Sequence, residues 1–151
     1  MTKKLRMTPI RRLDGITYLV IADPEAIHDF INTEIRHEWE EDARSESRDP
    51  EEDLWLKTLP KREWTLEIVD MGRIRLNPAI MNLVDKEKGY VFREELANRT
   101  KELQESIRKF SLVIWPIIIK RENFELVDGY CRYTSLRAMN VSRTYAYVGT
   151  L

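Results

Sequence analysis

Residues 92–110, FREELANRTKELQESIRKF, and the run LVIWPIII at 112–119 set the tightest bound on what this chain folds into. Phe92, Leu96, Thr100, Leu103, Ile107 and Phe110 recur at helical spacing, so a long helix carries one stripe that must cover something. The run that follows is apolar at nearly every position and too short to cross a bilayer. With Pro116 inside it, it reads as a strand. A buried helix stripe joined to a buried strand commits this part of the chain to mixed α and β structure.

The other segments agree. WTLEIVDMGRIRLNP (64–78) reads as one or two strands stopped by Asn77-Pro78, NFELVD (123–128) as a strand, CRYTSLRAMN (131–140) as a short helix and TYAYVGTL (144–151) as a closing strand. From residue 65 the order is strand, helix, strand, strand, helix, strand. Ahead of it, ITYLVIA (16–22) is a short β-rich run. Asp23 and Pro24 then open a helix whose Ile27, Phe30, Ile31, Ile35 and Trp39 share a stripe. Asp49-Pro50 repeats the device and starts a helix that ends before Pro60. The expectation is an α+β protein, with an N-terminal helical extension, residues 1–64, packed on a module of residues 65–151.

Charge narrows the partners. The formal net charge is −1 over 151 residues, which gives no bulk attraction to nucleic acid or anionic membrane. Locally, residues 3–12 carry five cations and no acid, whereas 38–53 hold nine acids against Arg44 and Arg48. The acidic block reads as a solvated face, or as a surface for a basic protein partner or for residues 3–12. The single cysteine excludes an internal disulfide, and without an apolar leader the expected location is cytoplasmic. His28 and His37 lie off the helix stripe, nine residues apart, which is not metal-ligand spacing. The four tryptophans read as core or docking residues.

The most chemically loaded stretch is ELVDGYCRYTSLRAMNV, 125–141. A strand ending in Asp128-Gly129 and passing into a helix points unpartnered amides outward at the helix start. Gly129 permits positive φ and leaves room beside the backbone. Tyr130 and Cys131 supply the first amides, Arg132 a forked cation, and Thr134 and Ser135 short hydroxyl donors. Together they form a candidate anion cradle. The alternative is a plain turn with a solvated arginine. Asp128 either orients Arg132, binds Mg²⁺ with phosphates, serves as a base toward an acceptor hydroxyl, or caps the helix. Lys120, ending the WPIIIK strand, either contacts phosphate or reaches for water.

These pieces in this order resemble the ParB and sulfiredoxin superfamily domain from about residue 66 to 151. The carriers are an entry strand ending in Asn-Pro (MGRIRLNP), the ELQESIRKF helix, the proline-bearing strand WPIIIK, the FELVDGYCRY turn and a last strand. The resemblance implies a mixed sheet with flanking helices, and a nucleoside di- or triphosphate (ATP, ADP or CTP) with Mg²⁺. The phosphates would be held by Lys120, Gly129, Tyr130, Cys131, Arg132, Thr134 and Ser135, with Asp128 as the catalytic carboxylate of any phosphotransferase or NTPase activity. Sulfiredoxins place their reactive cysteine directly after the glycine, where this chain has Tyr130, so sulfinic-acid reduction is not expected. Both turn histidines of the archaeal free-serine kinases are replaced by Tyr130 and Cys131. The helix-turn-helix domain that follows this module in ParB proteins has no counterpart before Leu151, so specific DNA binding by this chain alone is not expected. The alternative function is a non-catalytic interaction protein that keeps the fold and works with DNA-associated partners.

Overall fold

The computed structural model describes residues 9–45 and 54–151. A hairpin comes first, β1 (Ile10–Leu13) against β2 (Ile16–Leu19), turning through Asp14 and Gly15 at positive φ. Asp23 then caps α1 (Pro24–Phe30), its carboxylate accepting from the Ala26 amide at 2.9 Å, as the Asp-Pro pair predicts. The expected single helix is interrupted by a π turn at Ile31–Ile35 before α2 (Arg36–Ser45). Side chains at this point compete for the ladder: Asn32 Nδ2 donates to His28 O, and Thr33 Oγ1 donates to Asp29 O. A short α3 (Leu54–Thr58) and a 3₁₀ turn (Leu59–Lys61) lead into the sheet. The helix start expected at Asp49-Pro50 lies outside the described residues.

The main sheet has four strands, β3 (Glu63–Asp70), β6 (Ile117–Lys120), β7 (Leu126–Asp128) and β8 (Arg143–Thr150), in the order β3-β8-β6-β7. β8 lies antiparallel to β3 and parallel to β6, and β7 folds back antiparallel on β6. This is an α+β fold with a mixed sheet, as expected. Between β3 and β6 come a 3₁₀ turn (Met71–Arg73), α4 (Pro78–Met81) capped by Asn77, the small hairpin β4 (Val84–Asp85) and β5 (Tyr90–Val91), and α5 (Phe92–Phe110). α6 (Tyr130–Ala138) joins β7 to β8. The sequence reading missed β1, α4, β4 and β5, which are too short to show a period.

Apolar side chains cover both faces of this sheet. Ile117 and Ile119 point with Ala146 and Val148 toward Leu96 and Ile107 of α5 and Leu136 of α6. Between them Ile118 points the other way, with Tyr147 and Trp64, toward Ile27, Ile31, Ile35, Leu56 and Leu59. Strand alternation sends neighbours to opposite faces, and with both faces covered the run reads as continuously apolar. Fully buried Ile27 and Ile31 each contribute roughly 1.5–3 kcal/mol toward holding the N-terminal helices on the sheet. Two polar contacts reinforce this packing. Tyr147 Oη accepts from the Ile21 amide at 3.0 Å, and buried Arg62 donates to Gly149 O at 2.9 Å and forks onto the Glu122 carboxylate. One stripe residue departs from expectation: Phe110 is 78% exposed, because α5 ends there and Ser111 turns the chain through a left-handed conformation.

Candidate functional site

β7 ends at Asp128, Gly129 takes φ 102°, and Tyr130 begins α6, so the strand–glycine–helix turn is where the sequence puts it. The glycine is required for two reasons. That φ disfavours any side chain, and a Cβ there would stand 2.8 Å from Ile117 Cγ2 and 2.9 Å from Arg132 Nη2. The direction a side chain would take from this backbone is occupied by Ile117 and by the chain's own Arg132.

Arg132 makes three hydrogen bonds within the chain. Nη1 donates to Trp115 O and Pro116 O, both at 2.9 Å, and Nη2 donates to Asp128 Oδ2 at 2.9 Å. Of the roles open to Asp128, orienting Arg132 is the one the geometry displays. Thr134 Oγ1 donates to Tyr130 O at 2.8 Å, within its own helix. Ser135 is fully buried, its hydroxyl shared between Cys131 O and Thr100 O at the α5–α6 contact, so it does not reach the outer surface of the turn. Tyr130 is a core residue: its hydroxyl donates to Leu126 O and accepts from the Asn77 amide, and its ring meets Phe92 edge to face. Burial pushes its phenol pKa up, against the opposing effect of the Asn77 amide. Cys131 is a half-buried free thiol packed on the α5 side of the sheet. Lys120 pairs with Glu125 at 3.3 Å, two residues along β6 from Ile118, the residue opposite Asp128. Of the proposed cradle, then, the structure brings together Asp128, Gly129 and Arg132, and ties each to internal work. The first amides of α6 have no intrahelical acceptor, and Gly129 supplies no side-chain cap.

Beside this turn lies a cleft of about 380 Å³. One wall is the extended segment Leu112–Pro116, the other is Phe30, Glu34, Ile35 and Glu38 from the π turn and its flanks, and Asp128 and Arg132 close one end. The extended wall is held by β2: Leu19 N donates to Ile114 O and Ile114 N to Thr17 O, both at 3.0 Å. Leu112, Val113 and Trp115 are each about 40% exposed, and Trp115 stacks on Phe30 with ring centroids 5.2 Å apart. Among the described residues neither Glu34 nor Glu38 forms an ion pair. Desolvation pushes the Glu38 carboxyl above its ordinary pKa, followed by the nearby charges of Asp128 and Asp42. Sequence reasoning missed this cleft. Its only visible signals were the start of the acidic block at Glu38 and a tryptophan beside Pro116.

The remaining candidates sit apart. His28 Nε2 lies 3.2 Å from Pro60 O, and His37 Nε2 lies 3.0 Å from Glu41. Among the described residues no group of three His, Cys, Asp or Glu side chains converges, and no helix is long and apolar enough to cross a membrane. Trp39, Trp55 and Trp64 form an edge-to-face chain inside the extension's contact with the sheet.

The chain course has known counterparts. It is similar to the C2221 form of a Pnob8-like ParB-N domain (TM-score 0.43, 20% identity, 60% of this chain and 30% of that one) and to a second pNOB8-like ParB N-domain structure (0.42, 16%, 60% and 29%). Sulfiredoxin from Arabidopsis thaliana follows at TM-score 0.39 and 20% identity, over 57% of this chain and 88% of that one. The chain thus spans under a third of the length of the ParB structures it matches. ParB N-domain and sulfiredoxin structures are thus among those the chain is similar to, and the likeness assigns no ligand. No family model and no curated protein matches.

Proposed function

We propose that this chain is a protein-interaction module whose binding face is the cleft beside the Asp128–Arg132 turn, and that it works without phosphoryl transfer. The observation that carries the reading is the state of Arg132. All three of its hydrogen bonds reach groups of its own chain, two backbone carbonyls and the Asp128 carboxylate, so it serves as a structural tie. Freeing it for phosphate would break contacts worth roughly 1.5–3 kcal/mol each where charged groups are involved. The neighbouring surface is apolar with carboxylates at its edge, a composition suited to a protein partner and unsuited to a polyanion. Isothermal calorimetry with ATP, ADP, CTP and GTP, each with Mg²⁺, tests this. No saturable heat and no released phosphate are expected. Saturable binding that Arg132→Ala abolishes would overturn it.

One observation favours a second reading, in which a nucleoside di- or triphosphate with Mg²⁺ meets the start of α6: the nine-residue helix begins on Gly129 with no side-chain cap, leaving its first amides for an anion. In that case backbone amides, rather than Arg132, Lys120, Thr134 or Ser135, hold the phosphate. Nucleotide at a hundred times its Kd would then raise stability by roughly 2.7 kcal/mol, in wild type and Lys120→Ala alike.

A further inference from the structure

We infer that the cleft takes a basic amphipathic segment of a protein partner, its apolar side chains seated on Leu112, Val113 and Trp115 and its lysines or arginines paired with Glu34 and Glu38. The inference rests on the interaction reading above and names the partner's chemistry. Leu112, Val113 and Trp115 are large apolar residues left about 40% exposed along one extended wall, and Phe110 beside them is 78% exposed. Such a patch with a polar edge marks an interaction surface. The facing wall supplies charge of one sign. Glu34 and Glu38, four residues apart, line the cleft, and Arg132, the cation lining it among the described residues, is already paired with Asp128.

That arrangement decides between occupants. An anionic ligand would meet three carboxylates and one committed guanidinium, and an anionic lipid surface would meet the same sign. A second copy of this chain docked through this same face would bring two acidic walls into one interface. A cationic amphipathic segment gains on both counts: it removes apolar surface from water and brings positive charge to Glu34 and Glu38. At about 380 Å³ the cleft admits the side chains of roughly one helical turn, and a pair of cations four residues apart on a helix matches the spacing of the two glutamates.

The test uses the full chain and three fluorescein-labelled 16-residue helix-forming peptides, read by anisotropy. The first carries leucines on one face flanked by lysines, the second replaces the lysines by glutamates, and the third keeps the lysines and replaces the leucines by serines. The first should bind at least about tenfold more tightly than either other, and less tightly as salt is raised. Val113→Asn, on an exposed position, should weaken it by about tenfold, and Glu34→Lys/Glu38→Lys should transfer preference to the glutamate peptide. Equal binding of the first two peptides, no binding of the first, or a double variant with unchanged preference overturns the inference. If no peptide binds and nucleotides are also inert, the partner chemistry fails while the interaction reading stands. Saturable nucleotide binding lost with Arg132 would sink the parent reading whatever the peptides do.

Discussion

Asp128 and Arg132 close an ion pair at 2.9 Å across the left-handed Gly129, and the same guanidinium clasps the carbonyls of Trp115 and Pro116. One side chain thus joins α6 and β7 to the segment entering β6, and it shapes the end of the cleft. Arg132→Ala should lower unfolding stability by about 1.5–3 kcal/mol, because charge-assisted bonds are lost and the carbonyls lose their donor. Arg132→Lys should recover less than half, since a single ammonium cannot span the same three acceptors. Exposed Arg137 serves as the control and should stay within about 0.5 kcal/mol. Urea denaturation midpoints check the set; an unchanged midpoint for Arg132→Ala would show that the tie is not structural.

Gly129→Ala should be worse than its size suggests. The backbone there sits at φ 102°, and the new methyl would press on Ile117 and on the Arg132 guanidinium. A cost of about 1–3 kcal/mol is expected from the backbone alone. Gly72→Ala, with nothing within 4 Å of the added carbon, should be close to neutral. Equal melting temperatures for the two variants would refute the close approach.

The Arg62–Glu122 pair should appear in the acid limb of the stability curve. The Arg62 fork holds the Glu122 carboxyl down at about 2, against an ordinary value of 4.5. A depressed carboxyl pKa contributes stability that is fully present above the ordinary value and is lost as pH falls from 4.5 toward 2. Because the carboxylate is 48% exposed, solvent screening reduces its size. Glu122→Gln should lower the melting temperature at pH 7 and flatten its fall in that window. Parallel curves for the variant and wild type would count against the assignment.

Tyr147 tests the grip of the N-terminal helices on the sheet. Burial pushes its phenol to about 12 from an ordinary 10, and its oxygen accepts the Ile21 amide. Its stabilising effect is fully present below pH 10 and is lost as pH rises toward 12. Tyr147→Phe leaves that amide without its acceptor, at a cost of about 1–3 kcal/mol. Hydrogen exchange in α1 should speed up more than in α5. A uniform change across both helices would mean that Tyr147 does not act through the docking contact.

The local signals were legible in the sequence because each lives within a few residues. Asp23 and Pro24 cap a helix by their own chemistry, the stripe of 92–110 follows from one period, and Gly129 marks a backbone that no side chain adopts readily. Only the tertiary structure decided what the turn's polar groups do. The sequence presents Arg132, Thr134 and Ser135 as donors within one stretch, but hydrogen bonds are assigned by whatever acceptor the fold brings near. For Arg132 those are carbonyls 16 and 17 residues away, and for Ser135 one of them belongs to α5, 35 residues back. The cleft was hidden for the same reason. Its walls, Phe30 to Glu38 and Leu112 to Pro116, are remote in sequence and meet because β2 pairs with Ile114 while Ile31 and Ile35 bury against the sheet. Period and capping are properties of a segment, whereas a site between segments exists only once packing has set their distance and register.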